Sequence, residues 1–123
     1  MYIRFQGRIK NERADSFLGI FQLAFQLRDS IDLEKHYEAE LIENLVWLKE
    51  HLKSPKPLRE EENFRALSWF KPEAQHPLKR IRAIVAVLQE HGYVTDTLKS
   101  SDPGIMIYED GWQVVAKPRK GAK

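Results

Sequence analysis

The 123-residue chain contains no cysteine. This absence excludes a disulfide scaffold, a thiolate zinc site, a cysteine nucleophile and a thiol redox centre. Glycine is also scarce, with only six residues scattered along the chain. A glycine-rich loop that wraps phosphate groups is therefore not expected, and neither the Gly-x-Gly-x-x-Gly nor the Gly-x-Ser-x-Gly pattern occurs. The chemistry that these motifs indicate is not expected here.

Long apolar runs are missing as well. The longest stretch without a charged residue runs from Ser16 to Leu27, far short of the roughly 20 residues that a transmembrane helix needs. The first residues alternate apolar and polar side chains and carry Arg4, Arg8 and Lys10, so they lack the apolar region of a signal peptide. We therefore expect a cytoplasmic protein with no membrane partner.

The net charge is small, at +2, but the two halves of the chain differ. Residues 1–62 contain ten basic and twelve acidic residues, a net charge of −2, whereas residues 63–123 contain ten basic and six acidic residues, a net charge of +4. A total so close to zero does not by itself predict a polyanionic partner. Lys79, Arg80 and Arg82 nevertheless predict a small basic patch on one helix face, which keeps weak nucleic-acid binding open as an alternative.

Length and composition predict one globular domain. The chain has the length of a common single domain, and its 42% hydrophobic and 31% charged residues are ordinary for a folded protein. We assign residues 1–118 to this domain and residues 119–123 to a flexible basic tail.

The hydrophobic pattern of the first three quarters predicts one strand and three helices. Residues 1–9 alternate as in a β-strand, which Gly7 interrupts. Helices are predicted over residues 16–28, 33–52 and 73–91, because apolar residues recur there at steps of three and four.

The last quarter predicts three further strands, over residues 93–98, 105–108 and 112–116. Turns at Asp102-Pro-Gly104 and Glu109-Asp-Gly111 separate them. We expect these strands to form a three-stranded antiparallel unit in the same sheet as the N-terminal strand. The predicted fold is therefore α+β, with about three helices packed on a small, mainly antiparallel sheet.

Aromatic and charged side chains are concentrated in two segments, Arg65–Lys71 and Tyr108–Trp112. The first is predicted to be a short strand or an irregular segment. If the two segments line one cleft, their rings can stack on a nucleotide or ribosyl ligand while a cation binds its anionic group. The candidate ligand-binding residues are Arg65, Ser68, Trp69, Lys71, Tyr108, Glu109 and Trp112.

Other titratable residues predict structural roles. His36 and Glu40 are four positions apart on a predicted helix and could both reach one cation, but a zinc site needs a further ligand and no His-Glu-x-x-His pattern occurs. Glu109 and Asp110 are adjacent in a predicted hairpin turn, where carboxylates usually serve the turn itself. We predict no catalytic residue, no metal site and no cofactor.

Several segments resemble a family of small bacterial proteins that has no established activity. The resemblance is carried by Ser68-Trp-Phe-Lys71, His91-Gly92 and the run from Asp102 to Pro118. Tyr2–Arg8 and Gly19–Asp29 are similar to the opening of the same family, so the resemblance spans most of the chain. It implies a bacterial origin and a single domain, and it transfers no catalytic residue.

Two further likenesses bear on catalysis. Many members of that family carry an acidic residue where this chain has Gly111, which argues against carboxylate chemistry at this turn. The chain order Arg4, Ser68, Glu109 is faintly similar to that of transferases that act on nicotinamide dinucleotide, which use an arginine, a serine or aromatic strand, and a late glutamate. That likeness implies a transferase-like enzyme as an alternative.

The absence of reaction motifs favours binding over catalysis. We expect a non-enzymatic module that binds a protein partner or forms a homodimer. One route to a dimer pairs the acidic face of the helix over residues 33–52 with the basic face of the helix over residues 73–91 in another copy. The alternatives are a nucleotide- or ribosyl-ligand-binding protein or transferase-like enzyme at the Arg65–Lys71 and Tyr108–Trp112 cleft, and a weak nucleic-acid binder.

Overall fold

The computed structural model describes residues 1–11 and 16–119. Of the predicted basic tail, only Arg119 lies within this range; its side chain forms an ion pair with Asp102, with Nε 3.0 Å from Oδ2. The helices and strands of the described residues are, in chain order, β1 (Tyr2–Asn11), β2 (Ser16–Gly19), α1 (Ile20–Arg28), α2 (Lys35–His51), α3 (Lys56–Arg59), β3 (Leu67–Phe70), α4 (Gln75–Glu90), β4 (Thr95–Ser100), β5 (Ile105–Glu109) and β6 (Gln113–Lys117).

The predicted α+β class is confirmed. Two of the three predicted helices are found with slightly shorter bounds, as α2 and α4, and α3 adds a single turn. The first predicted helix begins four residues late, because residues 16–19 form β2 and pair with β1 in antiparallel register. Gly19 has extended backbone angles and is the N-cap of α1, so the strand ends and the helix begins at this residue.

The strands form one antiparallel sheet in which β1 has neighbours on both sides. On one side β1 pairs with β4. On the other side it pairs first with β3, through Ile3 opposite Phe70, and then with β2, from Gln6 opposite Gly19 onward. The sheet therefore forks along this side of β1, and the order across it is β4-β1-β3-β6-β5, with β2 beside the second half of β1.

The predicted three-stranded C-terminal unit is wrong in its pairing. The β5–β6 hairpin is present, but β4 pairs with β1 along its whole length, from Tyr2 opposite Ser100 to Gly7 opposite Thr95. The place beside β6 is taken by β3. The physical reason is direction: β4 and β5 run parallel to each other in this sheet, so the residues between them cannot make a hairpin turn.

The sheet is curved, since its two edges are joined by a short connection. The chain from Ser100 to Ile105 spans at most about 19 Å, whereas in a flat sheet the register would place these residues about 19 Å apart across the strands and about 17 Å apart along them. In agreement with this curvature, β6 is buried on both faces, from Gln113 to Ala116. Trp69 on β3 is buried on the same face as Val114, away from the helices.

The main core lies between the other face of the sheet and the helices α1, α2 and α4. Its most deeply buried members are mainly leucine and isoleucine side chains of the three helices, packed with Ile3 and Phe5 of β1. The helical members with at most 2% exposure are Leu23, Ala24, Leu41, Leu48, Leu78, Ile81, Ile84, Val87 and Leu88. At about 25 cal/mol per Å² of apolar surface, this packing is the main stabilising contribution to the fold.

Helices α2 and α4 pack against each other inside one chain. The guanidinium of Arg80 lies 3.3 Å from Asn44 Oδ1 and 3.7 Å from Glu43 Oε1. The predicted pairing of an acidic helix face with a basic helix face therefore occurs within the monomer at Arg80. Arg80 is therefore not available to pair with the acidic helix face of a second copy.

Gly104 is required by the backbone where β5 begins. It is buried with φ at +124°, and a Cβ there would overlap the carbonyl oxygen of Lys117. We expect Gly104→Ala to lower the free energy of unfolding by about 3 kcal/mol, measured by urea denaturation. Gly111→Ala is the control, because no heavy atom lies within 4 Å of its added Cβ, and its effect should stay below about 1 kcal/mol. Equal effects of the two changes would contradict this account of Gly104.

Candidate functional site

The fold brings the two predicted site segments to opposite sides of one strand. Ser68 and Trp69 lie on β3, which pairs with one side of β6. Tyr108 and Glu109 lie on β5, which pairs with the other side. The two segments are about 40 residues apart in the sequence, but each lies on a strand about 5 Å from β6, on opposite sides of it.

Lys71 and Glu109 join the two segments at one end of β6. The Lys71 Nζ lies 2.7 Å from Glu109 Oε2, and the Lys71 backbone N–H donates to the Trp112 carbonyl at 2.8 Å. The hydrogen bond to Glu109 raises the pKa of Lys71 above its ordinary value. Lys71 is therefore a cation whose charge is already balanced, which weakens its predicted role in binding an anionic group.

The two tryptophans of the predicted cleft point to different surroundings. The Trp69 side chain is buried, and its indole N–H has no hydrogen-bond partner among the described residues. The ring of Trp112 lies 6.0 Å from the ring of Trp47 on α2. No ring contact joins Trp69 and Trp112 within the described part of the chain, so the pair does not form a stacking clamp.

Trp112 belongs instead to a cluster of stacked rings around Trp47. The His51 and His76 rings lie 4.3 and 4.2 Å from the Trp47 ring, both nearly parallel to it, and Arg80 lies 5.3 Å from its centre. Sequence reasoning missed Trp47, because the apolar stripe predicted for the helix over residues 33–52 consists of Tyr37, Leu41, Leu45, Leu48 and Leu52. The spacing of Trp47 and His51, one helical turn apart, is the signal that could have found the contact.

Asp110 organises the hairpin turn between β5 and β6. Its Oδ1 accepts from the backbone N–H of Trp112 at 2.9 Å and of Gln113 at 3.0 Å, and its Oδ2 accepts from the Tyr108 hydroxyl at 2.7 Å. Burial raises the pKa of this carboxyl, but these hydrogen bonds together outweigh burial and hold the pKa below its ordinary value. Asp110 and Tyr108 therefore maintain the turn.

Replacing Asp110 tests this role. Because the folded-state pKa is depressed, the carboxylate contributes stability above its unfolded-state pKa, and this contribution is lost as the pH falls through the folded-state value. We expect Asp110→Asn to lower the free energy of unfolding by about 2 kcal/mol at pH 7, with the difference from wild type shrinking below about pH 4. Thermal or urea denaturation from pH 2.5 to pH 7 measures it.

The exposed Asp32 supplies the control for that experiment. Asp32→Asn should change the free energy of unfolding by less than about 0.5 kcal/mol at every pH. A loss in Asp110→Asn that is independent of pH would contradict the hydrogen-bonded carboxylate.

The remaining predicted residues are Arg65 and the basic residues of α4. Arg65 is exposed, and no hydrogen bond or ion pair to it is found in the described part of the chain. Lys79 and Arg82 are exposed on α4, whereas Arg80 is directed to α2 and its side chain is only 26% exposed. The predicted basic patch thus keeps two exposed side chains, of which the Arg82 guanidinium lies 6.0 Å from the centre of the Phe5 ring.

A small cavity lies at the fork of the sheet, next to Arg4. Its volume is about 70 Å³, and its lining includes Arg4 of β1, Ser68 of β3 and Gln113 of β6. The Arg4 Nη1 donates to the Ser68 carbonyl at 3.0 Å, so two of the three residues in the transferase-like order meet. The third, Glu109, is bound to Lys71. The carboxylate that the transferase-like order requires is therefore absent from the lining of this cavity.

The surroundings of Arg4 change the pKa of its guanidinium. Burial lowers its pKa to about 10, which still leaves the guanidinium charged at neutral pH. Ser68 also donates its hydroxyl to Gln113 Oε1 at 3.0 Å, and Gln113 in turn donates to the Lys53 carbonyl at 2.7 Å. Sequence reasoning did not connect Gln113 with Arg4, because nothing in a strand sequence indicates which distant strand it will join.

The described residues contain no group of three or more histidine and carboxylate side chains placed to hold a metal ion. Among the same residues, every helix is too short or too polar to cross a lipid bilayer. No family model, curated protein or solved structure matches the chain. The resemblance to a bacterial family therefore stays a prediction, and functional argument rests on the geometry of the site.

Proposed function

We propose that this chain is a non-enzymatic protein-binding module whose contact strand is β5, and that it associates with a second copy of itself through that strand. The proposal is supported by a difference between the two edges of the sheet. Each edge strand has backbone N–H and C=O groups that are not used by a neighbouring strand within the described residues. Such an edge is a template for pairing with another chain.

The β4 edge carries the features that prevent such pairing. Asp96 and Lys99 lie within it, and polar threonine and serine residues make up most of the rest. Asp96 is also held by Arg8, with Nη2 3.1 Å from Oδ1. Charged side chains on an edge make the approach of another strand costly.

The β5 edge has a register shift against β6 between Met106 and Tyr108, but it carries no charged side chain before Glu109 and exposes apolar side chains, which is the observation that carries the proposal. Its sequence is Ile-Met-Ile-Tyr-Glu, without lysine or proline. Ile105 is 54% exposed and Met106 is 42% exposed. Pairing would remove this apolar surface from water and satisfy the free backbone groups at the same time.

A second copy is the partner that closes the assembly. Two β5 strands related by a two-fold axis would pair in antiparallel fashion and cover each other's free edge, so that growth stops at the dimer. This pairing would place the exposed Ile105 and Met106 of each copy within the contact between the two strands.

The proposal is tested by a charge placed on each edge in turn. Met106→Lys should abolish dimerisation, because a lysine on the pairing edge must be desolvated. Thr97→Lys on the exposed face of β4 is the matched control and should leave the dimer intact. Sedimentation equilibrium over a range of concentrations measures the dissociation constant, for which we expect a rise of at least about 100-fold in Met106→Lys.

Two results would overturn this function. One is a wild-type chain that remains monomeric up to about 1 mM, a concentration that would detect an association of about 4 kcal/mol. The other is a dimer that Met106→Lys and Thr97→Lys weaken equally, which would place the interface elsewhere.

The setting we propose is the cytoplasm of a bacterium. The chain has no cysteine and so needs no oxidising compartment to form disulfide bonds, which supports this setting. The resemblance of the 68–71 and 102–118 segments to a bacterial family supports it as well. Fractionation of the native host with an antibody to the chain would test it, and recovery in a secreted or membrane fraction would contradict it.

A further inference from the structure

The cavity at the fork of the sheet has one cationic side chain in its wall and no acidic one. Around Arg4 the lining consists of two neutral polar residues, one glycine and five apolar residues. They are Ser68, Gln113, Gly19, Phe5, Ile20, Phe21, Phe70 and Ile81. The charge of Arg4 therefore dominates the interior.

Arg4 has hydrogen-bond partners but no counter-charge. Its Nη1 donates to the Ser68 carbonyl at 3.0 Å and its Nε donates to Gln6 Oε1 at 3.4 Å, and both acceptors are neutral. No carboxylate lies within ion-pair distance of it among the described residues, whereas Arg8 on the same strand has Asp96. A partly buried cation without a counter-charge is costly, because the hydration it loses is not replaced by an opposite charge. An anion in the cavity would offset that cost.

The start of α1 adds positive potential at the same place. Gly19, Ile20 and Phe21 all line the cavity, and a Cβ on Gly19 would lie 3.7 Å from Arg4 Nη2. The Gly19 N–H donates to Gln22 Oε1 at 2.8 Å, but the N-cap glycine has no side chain to accept from the N–H groups of the first turn, and that turn has no acidic residue. Helix N-termini favour anions for this reason. The positive potentials of Arg4 and of the α1 N-terminus therefore add in the same part of the cavity.

We propose that this cavity binds a small organic carboxylate, with its carboxyl group between Arg4 and the N-terminus of α1 and its short apolar part against the phenylalanine and isoleucine side chains. The cavity, at about 70 Å³, suits a compact ligand. A planar guanidinium matches a carboxylate in a bidentate geometry. The apolar walls favour a carboxylate with a short alkyl chain, because the chain can contact them. Inorganic phosphate would instead place charged oxygen atoms against these apolar side chains, which is unfavourable.

Titration of the ¹⁵N-labelled chain with sodium butyrate, and separately with sodium phosphate, at constant ionic strength tests the proposal. Butyrate should shift the amide resonances of Gly19, Ile20 and Phe21 in a saturable manner, and phosphate should shift them less. Arg4→Gln should weaken butyrate binding by at least about tenfold. Arg8→Gln is the matched control on the same strand and should bind butyrate as the wild type does.

A second pair of variants answers the case in which Arg4→Gln fails to fold. Gly19 has ordinary φ and ψ angles of −76° and 168°, so other residues are tolerated there, and aspartate is a preferred N-cap. Gly19→Asp would supply a built-in carboxylate beside Arg4, which should raise the melting temperature and abolish the butyrate shifts. Gly19→Asn, which caps the helix without a charge, should retain them.

Three outcomes would overturn the carboxylate site. The first is the absence of saturable shifts at about 100 mM butyrate, well above the millimolar dissociation constant expected of so small a ligand. The second is an equal loss of binding in Arg8→Gln, which would mean general attraction of anions to a basic strand. The third is butyrate binding that survives in Gly19→Asp. None of these results depends on whether the chain forms a dimer through β5.

Discussion

Arg4 forms its hydrogen bond to the Ser68 carbonyl at the point where β1 stops pairing with β3. On that side of the sheet, β1 and β3 share a single register position, Ile3 opposite Phe70. The sheet thus consists of two parts, β4-β1-β2 and β3-β6-β5, that meet along very little backbone ladder. The helices hold the parts together from one side through the core, and the Arg4 guanidinium connects them in the plane of the sheet. A neutral short side chain at position 4 would leave the Ser68 carbonyl without this partner, at a cost of about 1 to 3 kcal/mol for a buried acceptor.

The charge asymmetry of the sequence is used inside the fold. Glu43 of the acidic first half pairs with Arg80 of the basic second half, whereas Arg8 and Asp96 link the two halves in the opposite sense. Exposed pairs of this kind contribute about 0 to 1 kcal/mol each, so they favour one arrangement more than they stabilise it. They also reduce the number of cations that remain available to a polyanion. Arg4 differs from these residues because its charge meets only neutral acceptors.

The sequence predicts those parts of the fold that depend on local periodicity. Helices α2 and α4 and the β5–β6 hairpin follow from apolar spacing and turn residues. The start of the first helix does not, since Phe17 and Leu18 fit a helical repeat as well as a strand, and only the pairing of residues 16–19 with β1 decides between them.

The site is less predictable than the elements that carry it, because strand order depends on pairing between distant residues. The sequence raises the hypothesis that segments 65–71 and 108–112 line one cleft, and in the fold these segments flank β6 with Lys71 in contact with Glu109. The same residues neutralise one another, however, and Trp69 and Trp112 are directed to different surroundings. Which charge remains without a counter-charge is a property of the assembled sheet, and the sequence does not contain it in any local pattern.

A single topological feature produces both the fork and the free edge. In the simple meander that the last quarter of the sequence predicts, β5 would be the central strand of three and would have no free edge. The insertion of β3 between β1 and β6 moves β5 to the edge of the sheet, and β4 moves to the opposite edge beside β1. Because β3 is short, four residues against ten in β1, it cannot follow β1 along its full length. The remainder of that side of β1 is taken by β2, and the space between the two strands is where Arg4 and the start of α1 meet. The exposed apolar strand and the cationic cavity are therefore consequences of one short strand placed at the centre of the sheet.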